Sequence, residues 1–286
     1  MTVNPTIQHI HQQFVEQLCA NQTPREAQSI ARIVFEDVFG IHNFSRKDEL
    51  STAQLTQLDA IGQRLLNNEP LQYILGQADF YGMSLKVSPA VLIPRPETEE
   101  LVYWMSDCIT KEFSNTSLAV LDIGTGSGCI PIALKARHQA LNIQAVDVSM
   151  DALAVAHENA LAQQSWINFR QLDILDETQW STLPSFDIIV SNPPYIPMSE
   201  QVKMPPQVLA YEPELALFVE ESDPLVFYRK IGEFAKLKLN TGGQLFFETN
   251  EFNAKQVEKM LYAIGFETVV ITQDMSGKDR MIKAML

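Results

Sequence analysis

Apolar residues in the first seventy positions recur every three to four residues, the period of a helix with one buried face. The clearest run is Ala27, Ile30, Ala31, Val34, Phe35 and Val38. It follows Thr23-Pro24-Arg25-Glu26, where a threonine, a proline at the first helical position and a glutamate three residues on make a capping box. Gly40 is the expected stop. Ser51-Thr52-Ala53-Gln54 opens a similar run through Leu55, Leu58, Ile61, Leu65 and Leu66, and an earlier helix is expected from Ile7 to Leu18. Residues 1–70 therefore read as a small helical bundle.

The pattern changes at Leu71. Phe80-Tyr81-Gly82-Met83 and Leu85-Lys86-Val87 predict two short strands about a glycine turn, so residues 71–93 read as a linking β-hairpin. Residues 94–286 then alternate strand and helix. The expected strands are 118–123, 143–148, 167–172, 186–190, 244–248, 266–272 and 280–286, with helices over 97–111, 151–163 and 253–264. Such alternation is the signature of an α/β domain, a parallel sheet covered on both faces. Only a short turn around Gly277 separates the last two strands, so they must pair as an antiparallel hairpin.

Composition narrows the class. The chain has 286 residues, 46% apolar and 20% charged, and no apolar run long enough to cross a bilayer. Met1 to Ile10 lacks the basic-then-apolar order of a secretory signal. Cys19, Cys108 and Cys129 form no CxxC pair, which suits a reducing cytoplasm and gives neither a disulfide framework nor a metal site. Asn115-Thr116-Ser117 matches a glycosylation sequon without a secretory context. His9 and His11 have poor geometry for a shared metal and are expected on the surface. The net charge of −14 opposes binding to a phosphate backbone.

Candidate chemistry lies at the strand ends. Val120-Leu121-Asp122-Ile123 runs into Gly124-Thr125-Gly126-Ser127-Gly128, where glycines at alternate positions permit sharp turning and close approach by a ligand. The spacing is GxGxG, not the GxGxxG of dinucleotide folds. A tight structural turn is the alternative reading. Asp147 ends the next strand, placed to accept hydrogen bonds from ribose hydroxyls, and Asp173 ends the third, within reach of an adenine amine. Three such features on one sheet edge point to a nucleoside-like ligand.

The fourth strand leads directly into Asn192-Pro193-Pro194-Tyr195. Consecutive prolines restrict the backbone and donate no N–H, so the loop presents carbonyl acceptors. Asn192 adds a side-chain acceptor and Tyr195 a flat surface. That set suits a planar NH2, whose two protons the Asn192 oxygen and the Pro193 carbonyl would accept. A rigid turn ending the strand is the structural alternative.

Four segments give the chain a resemblance to the HemK/PrmC family, the protein-(glutamine-N5) methyltransferases that modify bacterial peptide chain release factors. They are Leu92-Ile93-Pro94-Arg95-Pro96-Glu97-Thr98-Glu99, Asp122 to Gly128, Val190 to Ile196, and Tyr211-Glu212-Pro213 with Ala216-Leu217. The resemblance runs from about Leu71 to the C-terminus; one departure is Glu248-Thr249-Asn250, where the family often has Glu-x-Gly. It implies a class I S-adenosylmethionine-dependent methyltransferase, a Rossmann-like seven-stranded sheet behind a helical substrate-docking domain. The donor would be held by Gly124, Thr125, Gly126, Ser127, Gly128, Asp147, Asp173 and Ile174, by Asn192, and by Phe80 and Arg95 from the hairpin side. The acceptor would be the glutamine of the Gly-Gly-Gln loop of class I release factors, bound by Asn192, Pro193, Pro194 and Tyr195, with Asn192, Pro193 and Tyr195 serving catalysis. A cytoplasmic monomer acting on protein, not nucleic acid or membrane, is expected.

Two other readings stay open. An N6-adenine methyltransferase acting on DNA or RNA presents the same planar amine, but the acidic balance and the sparse basic residues of the N-terminal segment (Arg25, Arg32, Arg46, Lys47, Arg64) weigh against it. A noncatalytic scaffold would keep the fold without turnover, and two intact loops speak against that.

Overall fold

A computed structural model describes residues 5–45, 48–113 and 117–286; Arg46, Lys47 and the Asn115-Thr116 of the sequon lie outside the described residues. The chain divides into two compact units, Met1–Gly76 with Pro205–Tyr211, and Gln77–Met204 with Glu212–Leu286.

The first unit is built on helices α1 (Ile7–Leu18), α2 (Pro24–Phe39), α3 (Thr52–Leu66) and α4 (Leu71–Leu75). Both capping boxes form: the Thr23 hydroxyl accepts from the Glu26 N–H while Glu26 accepts from the Thr23 N–H, and Ser51 with Gln54 repeats the exchange. Gly40 closes α2 in the left-handed region, at φ +66°. The apolar stripes meet in one core that includes Phe14, Leu18, Ala31, Phe35, Leu58 and Leu65. His11 does not sit free on the surface as expected. Its ring stacks on Phe44 at 4.4 Å and meets Phe35 edge-on at 5.1 Å, and burial lowers its pKa. The unit reaches Gly76 instead of ending at residue 70, because the chain continues through α4 before Gly76 turns it at φ +71°. It also takes in 205–211, where the Tyr211 hydroxyl donates to the Asn67 carbonyl at 3.0 Å.

The second unit opens with strands β1 (Gln77–Phe80) and β2 (Met83–Lys86), paired around Tyr81-Gly82, both at positive φ as a tight hairpin turn requires. There follow α5 (Pro96–Glu112), β3 (Ala119–Ile123), α6 (Cys129–Arg137), β4 (Asn142–Asp147), α7 (Met150–Ala162), β5 (Asn168–Gln171) and β6 (Phe186–Ser191). A two-residue strand β7 (Ile196–Pro197) precedes α8 (Pro206–Tyr211), which belongs to the first unit, and α9 (Glu214–Leu217) and β8 (Phe218–Val219) follow it. The chain ends in α10 (Val226–Lys238), β9 (Leu239–Glu248), α11 (Ala254–Ile264), β10 (Thr268–Gln273) and β11 (Asp279–Met285).

Seven strands form one sheet in the order β10-β11-β9-β6-β3-β4-β5. β5, β4, β3, β6 and β9 run parallel, and β11 is antiparallel to both of its neighbours. Successive side chains of a strand serve opposite faces, so the central strands are apolar throughout. Leu121, Ile189 and Phe247 pack with Tyr228, Phe234 and Leu261 on one face; Val120, Ile188 and Phe246 pack with Leu101, Met105 and Ile132 on the other. β9 begins at Leu239, five residues before the expected start. A register shift near Phe186 and Ile188 absorbs Gly242-Gly243, and a Cβ on Gly243 would stand 3.0 Å from the Asp187 carbonyl oxygen. Among the described residues no helix is long and apolar enough to cross a membrane.

Candidate active site

The carboxyl ends of β3, β4 and β6 face one edge of the sheet, and β3 is the strand from which the order proceeds in both directions. Ligand crevices form at such a point because the connections on its two sides diverge. A cavity there is lined by Gly124, Thr125, Gly126 and Ser127 from the β3 loop, Asp147 from β4, Asp173 and Ile174 beyond β5, and Asn192, Pro193 and Pro194 beyond β6. Arg95 and Thr98 complete this set from the start of α5.

All three loop glycines adopt left-handed φ, +73° at Gly124, +54° at Gly126 and +80° at Gly128, which L side chains rarely tolerate. Their surroundings differ. A Cβ on Gly124 or Gly126 would meet nothing within 4 Å, whereas one on Gly128 would press on Ile132 at 3.1 Å and Ala156 at 3.2 Å. Gly128 caps α6 and lets it pack on α7; it is not on the cavity wall, contrary to the expectation that it contacts the donor.

Asp147 organises the loop. One carboxylate oxygen accepts the Gly126 N–H and the other the Ser149 N–H, each at 2.9 Å. Burial raises its pKa and these backbone bonds oppose the rise. Asp173 accepts the Leu175 N–H at 2.9 Å. Between these acids the wall is apolar, with Val148, Ala152, Leu172 and Ile174. Glycine backbone, two carboxylates and an apolar slot fit the hydroxyls, amine and flat ring of an adenosyl group.

Asp122, beneath the loop, is 1% exposed, and among the described residues its oxygens and the Thr125 hydroxyl have no well-formed hydrogen bond. Burial pushes its carboxyl up to about 7, with the Asp147 charge adding to the rise and the nearby Thr125 hydroxyl working against it. A carboxyl whose folded pKa lies above its unfolded value binds a proton more readily in the native state. Its stability contribution is complete below the unfolded pKa and is lost as pH rises through the folded one. Melting temperature is therefore expected to fall as pH is raised from about 5 to about 7.5, by an effect of about 1.4 kcal/mol per displaced pKa unit. Asp122→Asn should weaken that dependence, leaving the share of any other raised carboxyl, and melt higher than the parent at pH 8; an unchanged profile by thermal melting would contradict this.

Several predicted residues lie elsewhere than expected. Phe80 is 1% exposed and packs inside the second core cluster with Leu85 and Leu101, not on the cavity wall, because β1 turns Ala78 and Phe80 inward together. Tyr195 is also off the wall. Its ring packs against the cluster containing Tyr228 and Phe247, and burial pushes its hydroxyl up to about 12. Arg95 does line the cavity, but its guanidinium is engaged by Glu212 at 2.5 Å, whose carboxylate also receives the Ile93 N–H. Glu212 is 5% exposed, so Arg95 is the partner that a buried carboxylate needs.

Two residues were given no site role by the sequence. Thr98, 3% exposed, donates to Glu248 at 2.6 Å, and the Asn192 side-chain NH2 donates to the Thr98 hydroxyl at 3.3 Å. Burial pushes the Glu248 carboxyl up to about 7, while Thr98 and the Arg280 charge draw it back. Thr98 stood inside a recognised segment, and Glu248 ends a strand on the active edge. That position was the available signal.

Residues 9–76 match the family description PrmC N-terminal domain, and residues 105–209 match Methyltransferase small domain. The release factor glutamine methyltransferase of Flavobacterium psychrophilum is 40% identical over 284 residues, spanning 97% of this chain and 98% of its own length. The chain belongs to the release factor glutamine methyltransferase family. A second member, from Bacteroides thetaiotaomicron, is 41% identical over 267 residues, covering 91% of this chain and 93% of its own. Among solved structures, the catalytic domain of hMettl16 superposes with a TM-score of 0.55 at 17% identity, over 82% of this chain and 81% of that one. That likeness concerns the fold, which is the class I methyltransferase fold with its antiparallel final strand.

Proposed function

We propose that this chain transfers a methyl group from S-adenosylmethionine to the side-chain amide nitrogen of a glutamine, the glutamine of the Gly-Gly-Gln loop of class I peptide chain release factors. One observation carries the reading: the open glycine backbone and the Asn192-Pro193-Pro194 loop line the same cavity. Membership of the release factor glutamine methyltransferase family supports the substrate. The net charge of −14 supports a protein over a nucleic acid. In this reading the helical unit docks the protein substrate, and the enzyme works as a monomer in the cytoplasm.

S-adenosylmethionine supplies an electrophilic methyl on a sulfonium. Gly124 to Ser127, Asp147, Asp173 and Ile174 hold its adenosyl part. Asn192 and the Pro193 carbonyl accept the two amide protons and turn the nitrogen lone pair toward the methyl carbon. An amide nitrogen is a weak nucleophile, so acceleration comes from positioning and from acceptors that meet the positive charge developing on nitrogen. As the carbon–nitrogen bond forms and the carbon–sulfur bond breaks, the nitrogen becomes acidic and its proton leaves late, to solvent. No strong base is required.

The test is transfer of labelled methyl to a release factor and to the same factor with its loop glutamine replaced by alanine. Label is expected in the first and at background in the second, by scintillation counting. Equal labelling of both, or labelling of nucleic acid instead, would overturn the assignment.

A further inference from the structure

We propose that Thr98 and Glu248 are positioning residues that fix which end of the Asn192 amide faces the cavity. The inference rests on the acceptor role given to Asn192 in the proposed function. An asparagine amide has two ends of nearly equal size and opposite character: the oxygen accepts and the NH2 donates. A substrate NH2 held by Asn192 needs the oxygen. A side chain rotated by half a turn would set donor against donor and repel the same group.

The geometry removes that ambiguity. Thr98 Oγ1 lies 2.6 Å from Glu248 Oε2 and 3.3 Å from Asn192 Nδ2. A hydroxyl carries one proton, and once Glu248 is ionised, above about pH 7, the carboxylate only accepts, so that proton goes to Glu248. Oγ1 is then left as an acceptor toward Asn192. The NH2 end of the amide must face Thr98, and Oδ1 therefore points the opposite way. Asn192 itself lines the cavity, so the free end is the one available to a substrate.

The arrangement is costly and well held. Glu248 is 2% exposed at the end of β9, and Thr98 is 3% exposed in the first turn of α5. Burial of a carboxylate is unfavourable, and its pKa is displaced upward although Arg280 lies near enough to offset part of the cost. An apolar residue of similar size would serve packing at lower cost. A carboxylate at this place makes sense as the terminal acceptor that polarises the chain of hydrogen bonds.

Thr98→Val keeps the shape and removes both the donor and the acceptor, Thr98→Ser keeps both, and Glu248→Leu removes the terminal acceptor while leaving Thr98 in place. Two readouts decide the matter. The first is hydrogen exchange of the Asn192 side-chain amide by NMR, its resonances identified by their loss in Asn192→Ala. Exchange is expected to quicken about tenfold or more in Thr98→Val and to stay near the parent rate in Thr98→Ser. The second is steady-state transfer to the release factor. For Thr98→Val and Glu248→Leu, kcat should fall about 10- to 100-fold, the scale of a small misplacement of a reacting group, with donor Kd within about twofold. Thr98→Ser should recover most of kcat. Unchanged exchange in Thr98→Val overturns the proposal, as does altered exchange with kcat unchanged, or a loss of donor binding parallel to the loss of kcat. If the parent enzyme labels no release factor, the proposed function fails separately, and amide exchange alone decides the positioning claim.

Discussion

Asn192→Ala is expected to lower methyl transfer about 100-fold or more, while S-adenosylmethionine affinity stays within about twofold of the parent. The side chain lines the cavity beside Pro193 and Pro194, and its NH2 donates to Thr98. Alanine removes the acceptor that orients the substrate nitrogen but leaves the glycine loop, Asp147 and Asp173 untouched. Single-turnover transfer measures the first quantity and calorimetric titration the second. A large loss of donor binding would instead make Asn192 a cofactor ligand, which the sequence reading also allowed. Asn192→Asp gives a sharper comparison. A carboxylate oxygen in place of the NH2 would face the Thr98 hydroxyl oxygen, whose proton is already given to Glu248, so acceptor would oppose acceptor and transfer should not recover.

Asp147→Ala should produce the opposite pattern, with donor affinity falling about 10- to 100-fold because a half-buried acceptor and its hydrogen bonds are lost together. The carboxylate holds the Gly126 and Ser149 N–H groups, and it also lines the cavity. Its removal thus costs a ligand contact and frees the loop that shapes the site. Asp147→Asn retains one acceptor but turns an NH2 toward one of those backbone donors, so intermediate affinity is expected. Equilibrium titration with S-adenosylmethionine checks both variants. Unaltered binding in Asp147→Ala would remove this cavity as the donor site. Together the two substitutions separate donor binding from acceptor chemistry within one crevice.

Much of this molecule was legible in one dimension. The helix over Ile7–Leu18 and the capped starts at Thr23 and Ser51 appear where apolar spacing and local polar residues put them. The strands of the seven-stranded sheet fall within two residues of expectation, apart from the early start of β9, whereas β1 begins three residues before Phe80 and the short pair β7 and β8 was not expected. Such features depend on neighbours three or four positions away, and those neighbours are written in the sequence. The glycine loop and the residues after β6 were legible for a related reason: strand polarity alone sends the ends of parallel strands to one edge.

What escaped depended on distant packing. Period-two alternation shows that Phe80 points the same way as Ala78, but not whether that direction leads to a ligand or to Leu101. Glycine spacing cannot distinguish Gly126, whose missing Cβ leaves room at the cavity, from Gly128, whose missing Cβ leaves room for α7. Arg95 and Glu212 stand 117 positions apart, and Thr98 and Glu248 stand 150 apart. The sequence by itself determined the elements, their polarity and the two loops that meet at the sheet edge, because each follows from covalent neighbours and backbone preference. Only the tertiary structure decided which way the Asn192 amide is turned, because hydrogen-bond direction is set by partners that folding alone brings within hydrogen-bond reach.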